Sequence, residues 1–261
     1  MNDDQFNNSL ILAVETSGRL GSVAIAEGPQ LLAQICFSGP LRASAEIFPA
    51  IVEMLSRFDK KPNQIEQVYI SYGPGSFTGL RIAVALAKTL ALANNTKIVA
   101  VDTLDTIAEN VLGDNYQNVL KPNERLAAIL DAKRGQFFIA VYEYSSQSDL
   151  SLRAKRSNLN RLETFYPLTK ILPDCLMTAE EFLDRFAGCG KPIALIGEGL
   201  VYYKDKFNDP AVRFLDEKYW NPSAANVHHL GWQKAQTGDF ADPLALTPNY
   251  LRGPDAKIKQ I

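Results

Sequence analysis

Two stretches of this 261-residue chain place a carboxylate on a short polar turn directly after an apolar strand. In the first, the strand ending at Val14 runs into Glu15, Thr16, Ser17, Gly18 and Arg19. In the second, Ala127 to Leu130 runs into Asp131, Ala132, Lys133, Arg134 and Gly135. A tight hairpin tip with hydroxyls, backbone N–H groups and one carboxylate is able to hold a phosphate and its metal ion together. Glu15, Thr16, Ser17 and Asp131 are therefore the candidate phosphate-turn positions. The plain alternative is a pair of polar hairpin turns with no ligand.

A third stretch, Gly73 to Arg81, is rich in glycine and hydroxyls and lies between an apolar strand and an alanine-rich segment. Gly73 and Gly75 permit backbone angles closed to other residues, and Ser76 or Thr78 is placed to cap the helix that follows. That helix N-terminus would suit an anion or a carbonyl, or it is simply a tight turn. A second reading pairs Gly73 and Gly75 with Asp102 as a loose dinucleotide fingerprint, against which stand the wrong glycine spacing, Pro74 and the three strands that come first.

The familiar catalytic signatures do not occur: there is no phosphate-loop lysine motif, no nucleophile elbow and no zinc-binding His pair. The two histidines, His228 and His229, are adjacent, and neighbours on a helix point about 100° apart. A peptidase reading thus lacks a nucleophile with a histidine base near the acidic turns. Cys36, Cys175 and Cys189 form no metal or redox motif and are expected to be packing residues.

The elements that would position these groups follow from hydrophobic patterning. Strands are expected at Ser9 to Val14, Gly21 to Ala26, Leu31 to Phe37, Val68 to Ser71 and Lys97 to Val101. Helices are expected at Ala43 to Phe58, Leu80 to Asn94 and from Asp102 or Thr103 to Asn110, giving the order βββαβαβα. The pattern then restarts with strands at Ala127 to Leu130 and Gln136 to Tyr142, an internal duplication. Thr178 and Glu181 make a capping box for a helix to Ala187, a strand covers Ile193 to Ile196, and a last helix covers Ala224 to Gln236. The expected fold class is α/β, in two similar lobes at residues 1–110 and 111–261.

Bulk properties narrow the function classes. With 27 Lys and Arg against 29 Asp and Glu the net charge is −2, so no global basic field exists to hold a polyanion. Arg153, Lys155, Arg156 and Arg161 make one basic cluster, read as a solvated loop or an RNA contact. The most apolar stretch, Ile82 to Ala93, falls short of the roughly 20 residues that span a bilayer. The first eight residues are polar with Asp3 and Asp4, unlike a secretion signal, which makes the cytoplasm the expected compartment.

Several stretches together resemble the TsaB (YeaZ) family: Ile11 to Ser17, Ser71 to Ile82, Val101 to Leu104, Asp131 to Gly135 and the closing Pro248 to Arg252. The family usually carries Asp where this chain has Glu15, whose carboxylate reaches one methylene further. The resemblance implies an actin-like (ASKHA, ribonuclease H-like duplicated) two-lobed fold with a reduced second lobe. It implies a non-catalytic subunit that supports a TsaD-like catalytic paralogue in forming N6-threonylcarbamoyladenosine in tRNA next to the anticodon, with a TsaE-like ATPase as further partner. No tightly bound cofactor or metal is implied; ATP or ADP would sit at the partner interface, and tRNA would be met only through the complex. The helices of the first lobe would form the interface, here Ile47, Ile51, Met54, Gly75, Phe77, Thr78, Arg81, Ala83, Ala87 and Leu90. Alone, the chain is expected to be a homodimer through the same surface.

Overall fold

The computed structural model describes residues 8–113, 119–121, 123–144 and 168–252. The first half runs β1 (Leu10–Glu15), β2 (Ser22–Glu27), β3 (Gln30–Cys36), α1 (Ala43–Arg57), β4 (Ile65–Gly73), α2 (Phe77–Asn94), β5 (Lys97–Asp102) and α3 (Thr103–Gly113). The second half repeats that order with β6 (Arg125–Asp131), β7 (Gln136–Tyr144), β8 (Leu168–Thr178), α4 (Ala179–Phe186), β9 (Ile193–Ile196), α5 (Leu200–Tyr203), β10 (Val212–Phe214) and α6 (Ala224–Gln236). The duplication is complete at the level of topology. One sheet is ordered β3-β2-β1-β4-β5 and the other β8-β7-β6-β9-β10. In each, the first strand pairs antiparallel with the second and parallel with the fourth.

The central strands β1 and β6 are apolar almost throughout because both faces of each are covered, the pattern expected of a parallel strand pair. On one face of the first sheet, α1 presents Ile47, Ala50, Ile51, Met54 and Leu55, while α2 presents Leu80, Ala83, Val84 and Ala87. By length and composition α2 would pass for a membrane span, but those residues are core of the first lobe. On the other face, α6 packs Ala224, Val227 and Leu230 against Ile11, Ala13 and Tyr69. The last helix of the chain therefore covers the first sheet, and α3 sends Leu104, Ile107, Ala108 and Val111 into the core of the second. A cut at residue 110 separates the two sheets but not the two cores.

The second lobe is reduced in its helices: α4 has 8 residues and α5 only 4, against 15 and 18 in α1 and α2. Three elements go beyond the sequence reading, namely β8, α5 and β10. The strands β8 and β10 are the edges of their sheet, where polar residues and Pro173 are tolerated, and so they lack an apolar signature. The helix α2 begins at Phe77 rather than Leu80 because Ser76 is its cap, accepting from the Gly79 N–H. The capping box forms as expected, with the Thr178 N–H donating to Glu181 and the Glu181 N–H to the Thr178 hydroxyl. Cys36 and Cys189 are exposed, so neither is the packing residue expected. The basic cluster at Arg153, Lys155, Arg156 and Arg161 lies outside the described residues.

Candidate functional site

The two acidic turns and the glycine-rich stretch meet at the mouth of one cleft between the lobes. The cleft has a volume of about 570 Å³ and is lined by Ser17, Arg19, Ser76, Phe77, Asp131 and Lys133, and closed by residues 249–252. Gly75 and Thr78 lie on the same wall.

Glu15 does not face that space. Its Oε1 accepts from the Ser17 N–H at 2.6 Å, the Ser17 hydroxyl at 2.5 Å and the Gly18 N–H at 3.2 Å, while Oε2 accepts from the Ser71 hydroxyl on β4. Burial pushes its carboxyl above the ordinary range, and the hydrogen bonds from Ser17, Ser71 and Gly18 oppose that rise. Thr16 is also buried, and its hydroxyl donates to the Gly79 carbonyl at 2.7 Å. The expectation of Glu15 and Thr16 as phosphate-turn ligands is therefore corrected: both fasten the turn to β4 and α2. Asp131 does line the cleft, but Lys133 covers both its oxygens, through its N–H and its ammonium, each at 2.7 Å. Of the two turn carboxylates, Glu15 is turned away from the cleft and Asp131 faces it already engaged by Lys133.

The glycine-rich stretch is explained by this docking. The Ser76 N–H donates to the Ser17 carbonyl at 2.7 Å. A Cβ on Gly75 would lie 2.5 Å from that carbonyl oxygen, and one on Gly79 would lie 1.7 Å from the Thr16 oxygen. Backbone meets backbone here, and only glycine leaves the room.

Glu198, which sequence reasoning passed over, closes the cleft from the second lobe. Its two oxygens lie 2.9 and 2.7 Å from the Arg19 N–H, so a carboxylate that follows β9 grips the first-lobe turn. Burial pushes its pKa up to about 7, opposed by the Arg19 N–H and reinforced by the charge of Glu15. The signal available was Gly197, Glu198 and Gly199 directly after a buried strand, an acid-bearing turn like the other two. The closing segment is a second tie between lobes. The Tyr250 ring packs on Phe77 with centroids 5.0 Å apart, its hydroxyl meets Arg81 Nε at 3.1 Å, and Arg252 donates to the carbonyls of Ala132 and Lys133.

Asp102 faces a different cavity of about 280 Å³, shared with Asp105, Tyr142, Lys170 and Lys234. There Lys170 bridges Asp105 at 2.6 Å and Asp174 at 2.7 Å, and the Tyr142 hydroxyl donates to Asp105 at 2.7 Å. Burial, and then the charge of Asp174, push Asp102 up to about 6. Asp102 and Gly75 thus do not share a pocket, which removes the dinucleotide fingerprint. His228 is buried and meets the Gly28 carbonyl at 2.9 Å, and His229 lies 3.4 Å from Glu109, so neither histidine lines the cleft.

Of the expected interface residues, Ile47, Ile51, Met54, Ala83 and Ala87 are buried against the first sheet, and that expectation is corrected for all five. Their helical spacing is that of a core stripe. Leu90 is half-buried, whereas Phe77, Thr78 and Arg81 are exposed. The solvent side of the same helices carries Phe48 at 60%, Val52 at 62% and Leu92 at 75% exposure, among Ala45, Ala85, Thr89 and Ala93.

The family model described as "TsaD: tRNA N6-adenosine threonylcarbamoyltransferase" matches residues 42–184. A Bacillus subtilis protein named tRNA threonylcarbamoyladenosine biosynthesis protein TsaB is 28% identical over 258 residues, 96% of this chain and 97% of the relative. The Escherichia coli protein of the same name is 30% identical over 135 residues, 51% of this chain and 54% of its own length. The solved structure of YeaZ from Pseudomonas aeruginosa superposes with a TM-score of 0.70 at 21% identity, covering 93% of this chain and 99% of that one.

Proposed function

The chain belongs to the TsaB (YeaZ) branch of the family described as TsaD, and on that premise we propose that it is a non-catalytic subunit in the formation of N6-threonylcarbamoyladenosine in tRNA. It binds a TsaD-like catalytic paralogue and holds it in its active state, with a TsaE-like ATPase as further partner, in the cytoplasm. The observation that supports this reading most is the exposure of Phe48 and Val52 on α1 and of Leu92 on α2, the two helices that cover one face of the first sheet. Large apolar side chains exposed on two helices of one layer gain by being covered. The non-catalytic part of the reading is supported by the engagement of Glu15 and Asp131 in hydrogen bonds and ion pairs of this chain itself. ATP or ADP, on this reading, is held at the joint face by residues of the partner rather than by Glu15 or Thr16. A peptidase is disfavoured because neither histidine lies at the cleft.

In the absence of the paralogue the same faces pair two copies of the chain, since a self-complementary patch closes a two-fold dimer. Light scattering after size exclusion tests this. A dimer alone that gives way to a one-to-one heterodimer on mixing supports the shared surface, and a dimer that persists unchanged beside the bound paralogue refutes it.

A further inference from the structure

The tip of the β6–β7 hairpin is a tight turn, closed by the Gln136 N–H on the Lys133 carbonyl, that carries two basic residues where such turns usually carry Asn or Gly. Lys133, Arg134 and Gly135 are all left-handed, with φ of 65°, 56° and 75°. Glycine takes that conformation freely and Asn takes it readily, whereas Lys and Arg are disfavoured there. Neither basic side chain is held for its burial, because both residues are exposed.

The tip is also where positive charge gathers in a chain of net charge −2. Arg252 lies against the Ala132 and Lys133 carbonyls. Lys206 reaches within 3.8 Å of where a Cβ on Gly135 would stand, and Arg19 looks across the cleft from the first lobe. Among the described residues, Asp131 is tied to Lys133, and burial raises the carboxyl of Glu198, which faces the same cleft. Aromatic faces stand beside the cations: Tyr202 is 68% exposed under the Arg19 guanidinium at 4.8 Å, and Tyr250 and Phe77 line the same cleft.

Cations that track a phosphate backbone, interleaved with exposed aromatic rings on which bases stack, are the chemistry of single-stranded nucleic-acid binding. We propose that the cleft rim formed by Arg19, Lys133, Arg134, Tyr202 and Lys206 is an RNA contact that takes an unpaired stretch of the substrate RNA while the chain is bound to its catalytic partner. This rests on the tRNA-modification reading above and adds a direct role for this chain in holding the RNA. An acidic peptide would use the cations but has no need of the rings. The low net charge makes the contact a local one that adds to binding by the partner rather than replacing it.

The test is tRNA affinity of the assembled complex as a function of salt, with Lys133→Gln, Arg134→Gln and Lys206→Gln combined, and Tyr202→Ala separately. Removing three phosphate-binding cations from a single-strand site flattens the slope of log affinity against log salt by about 2. The triple variant is expected to show that change with roughly a hundredfold weaker binding near 0.1 M salt, and Tyr202→Ala to weaken binding with the slope kept. Unchanged affinity and slope in an intact complex overturns the proposal. So does equal weakening toward a fully duplex RNA, or competition by polyglutamate as strong as by tRNA. If the chain fails to assemble with the paralogue, the functional reading falls, and the isolated chain is titrated with a tRNA anticodon stem-loop. Loss of slope in the triple variant then supports the rim on its own, and a stem-loop that binds neither protein overturns it.

Discussion

Replacing Glu198 with Gln should stabilise this protein, by an amount that grows as the pH rises above about 5. The carboxyl of Glu198 is lifted from 4.5 to about 7, first by burial and further by Glu15, while the Arg19 N–H opposes the rise. A carboxyl whose folded value is raised favours the unfolded chain once the unfolded form ionises. Below pH 4.5 both states are protonated and nothing is lost. Between 4.5 and 7 stability falls with rising pH, and above 7 the full loss is in place. The difference of 2.5 in pKa corresponds to about 3 kcal/mol. Gln keeps the shape and one carbonyl to accept the Arg19 N–H, at a loss of about 1 kcal/mol for the weaker neutral contact. The net expectation is a gain of about 2 kcal/mol at pH 8, or roughly 4 °C in melting temperature, shrinking to nothing near pH 5. Calorimetric melts of both proteins at pH 5, 6, 7 and 8 measure this, and shared slopes from other acids cancel in the difference. A variant less stable than the parent at pH 8, with an unchanged difference at pH 5, refutes the argument, because the charged carboxylate would then be the stabilising form.

Other perturbations follow from the same packing. Gly79→Ala puts a methyl group 1.7 Å from the Thr16 oxygen, so the turn must leave α2, and a loss of about 3 kcal/mol with a melting temperature roughly 6 °C lower is expected. An unchanged melt would show that the turn is not docked there. Lys170→Met removes the cation between Asp105 and Asp174, and urea unfolding at pH 7 should show a loss of about 3 kcal/mol that diminishes as the pH falls and Asp174, whose carboxyl is pushed above the ordinary range by burial, takes up a proton. A loss that does not change with pH would contradict the ion-pair account.

The order βββαβαβα and its repetition were legible because the central strands β1 and β6 and the core face of α1 are apolar at strand and helix periods. The edge strands β8 and β10 were not, since an edge has no need of an apolar signature. The turns at Ser17 and Asp131 and the glycine-rich stretch at Ser76 were each legible as turns after strands, but their convergence on one cleft is shown by the structure alone. What sequence could not give was direction. Glu15 and Thr16 have the chemistry of ligands, but donors from Ser71 and an acceptor at Gly79, both far along the chain, turn them inward. The same holds for α1 and α2. Ile47, Ile51 and Ala87 lie on the sheet side, and the solvent side of the same helices carries Phe48, Val52 and Leu92 instead.

The most direct measurement is threonylcarbamoyladenosine formation on tRNA by the TsaD-like and TsaE-like partners, without this chain, with it, and with Phe48→Arg and Val52→Arg combined. Both positions are exposed, so the variant should melt like the parent, and Arg there should prevent close approach of the paralogue. The account predicts activity that depends on the chain and falls at least tenfold with the folded double variant. Full activity without the chain, or with the folded double variant, would contradict it.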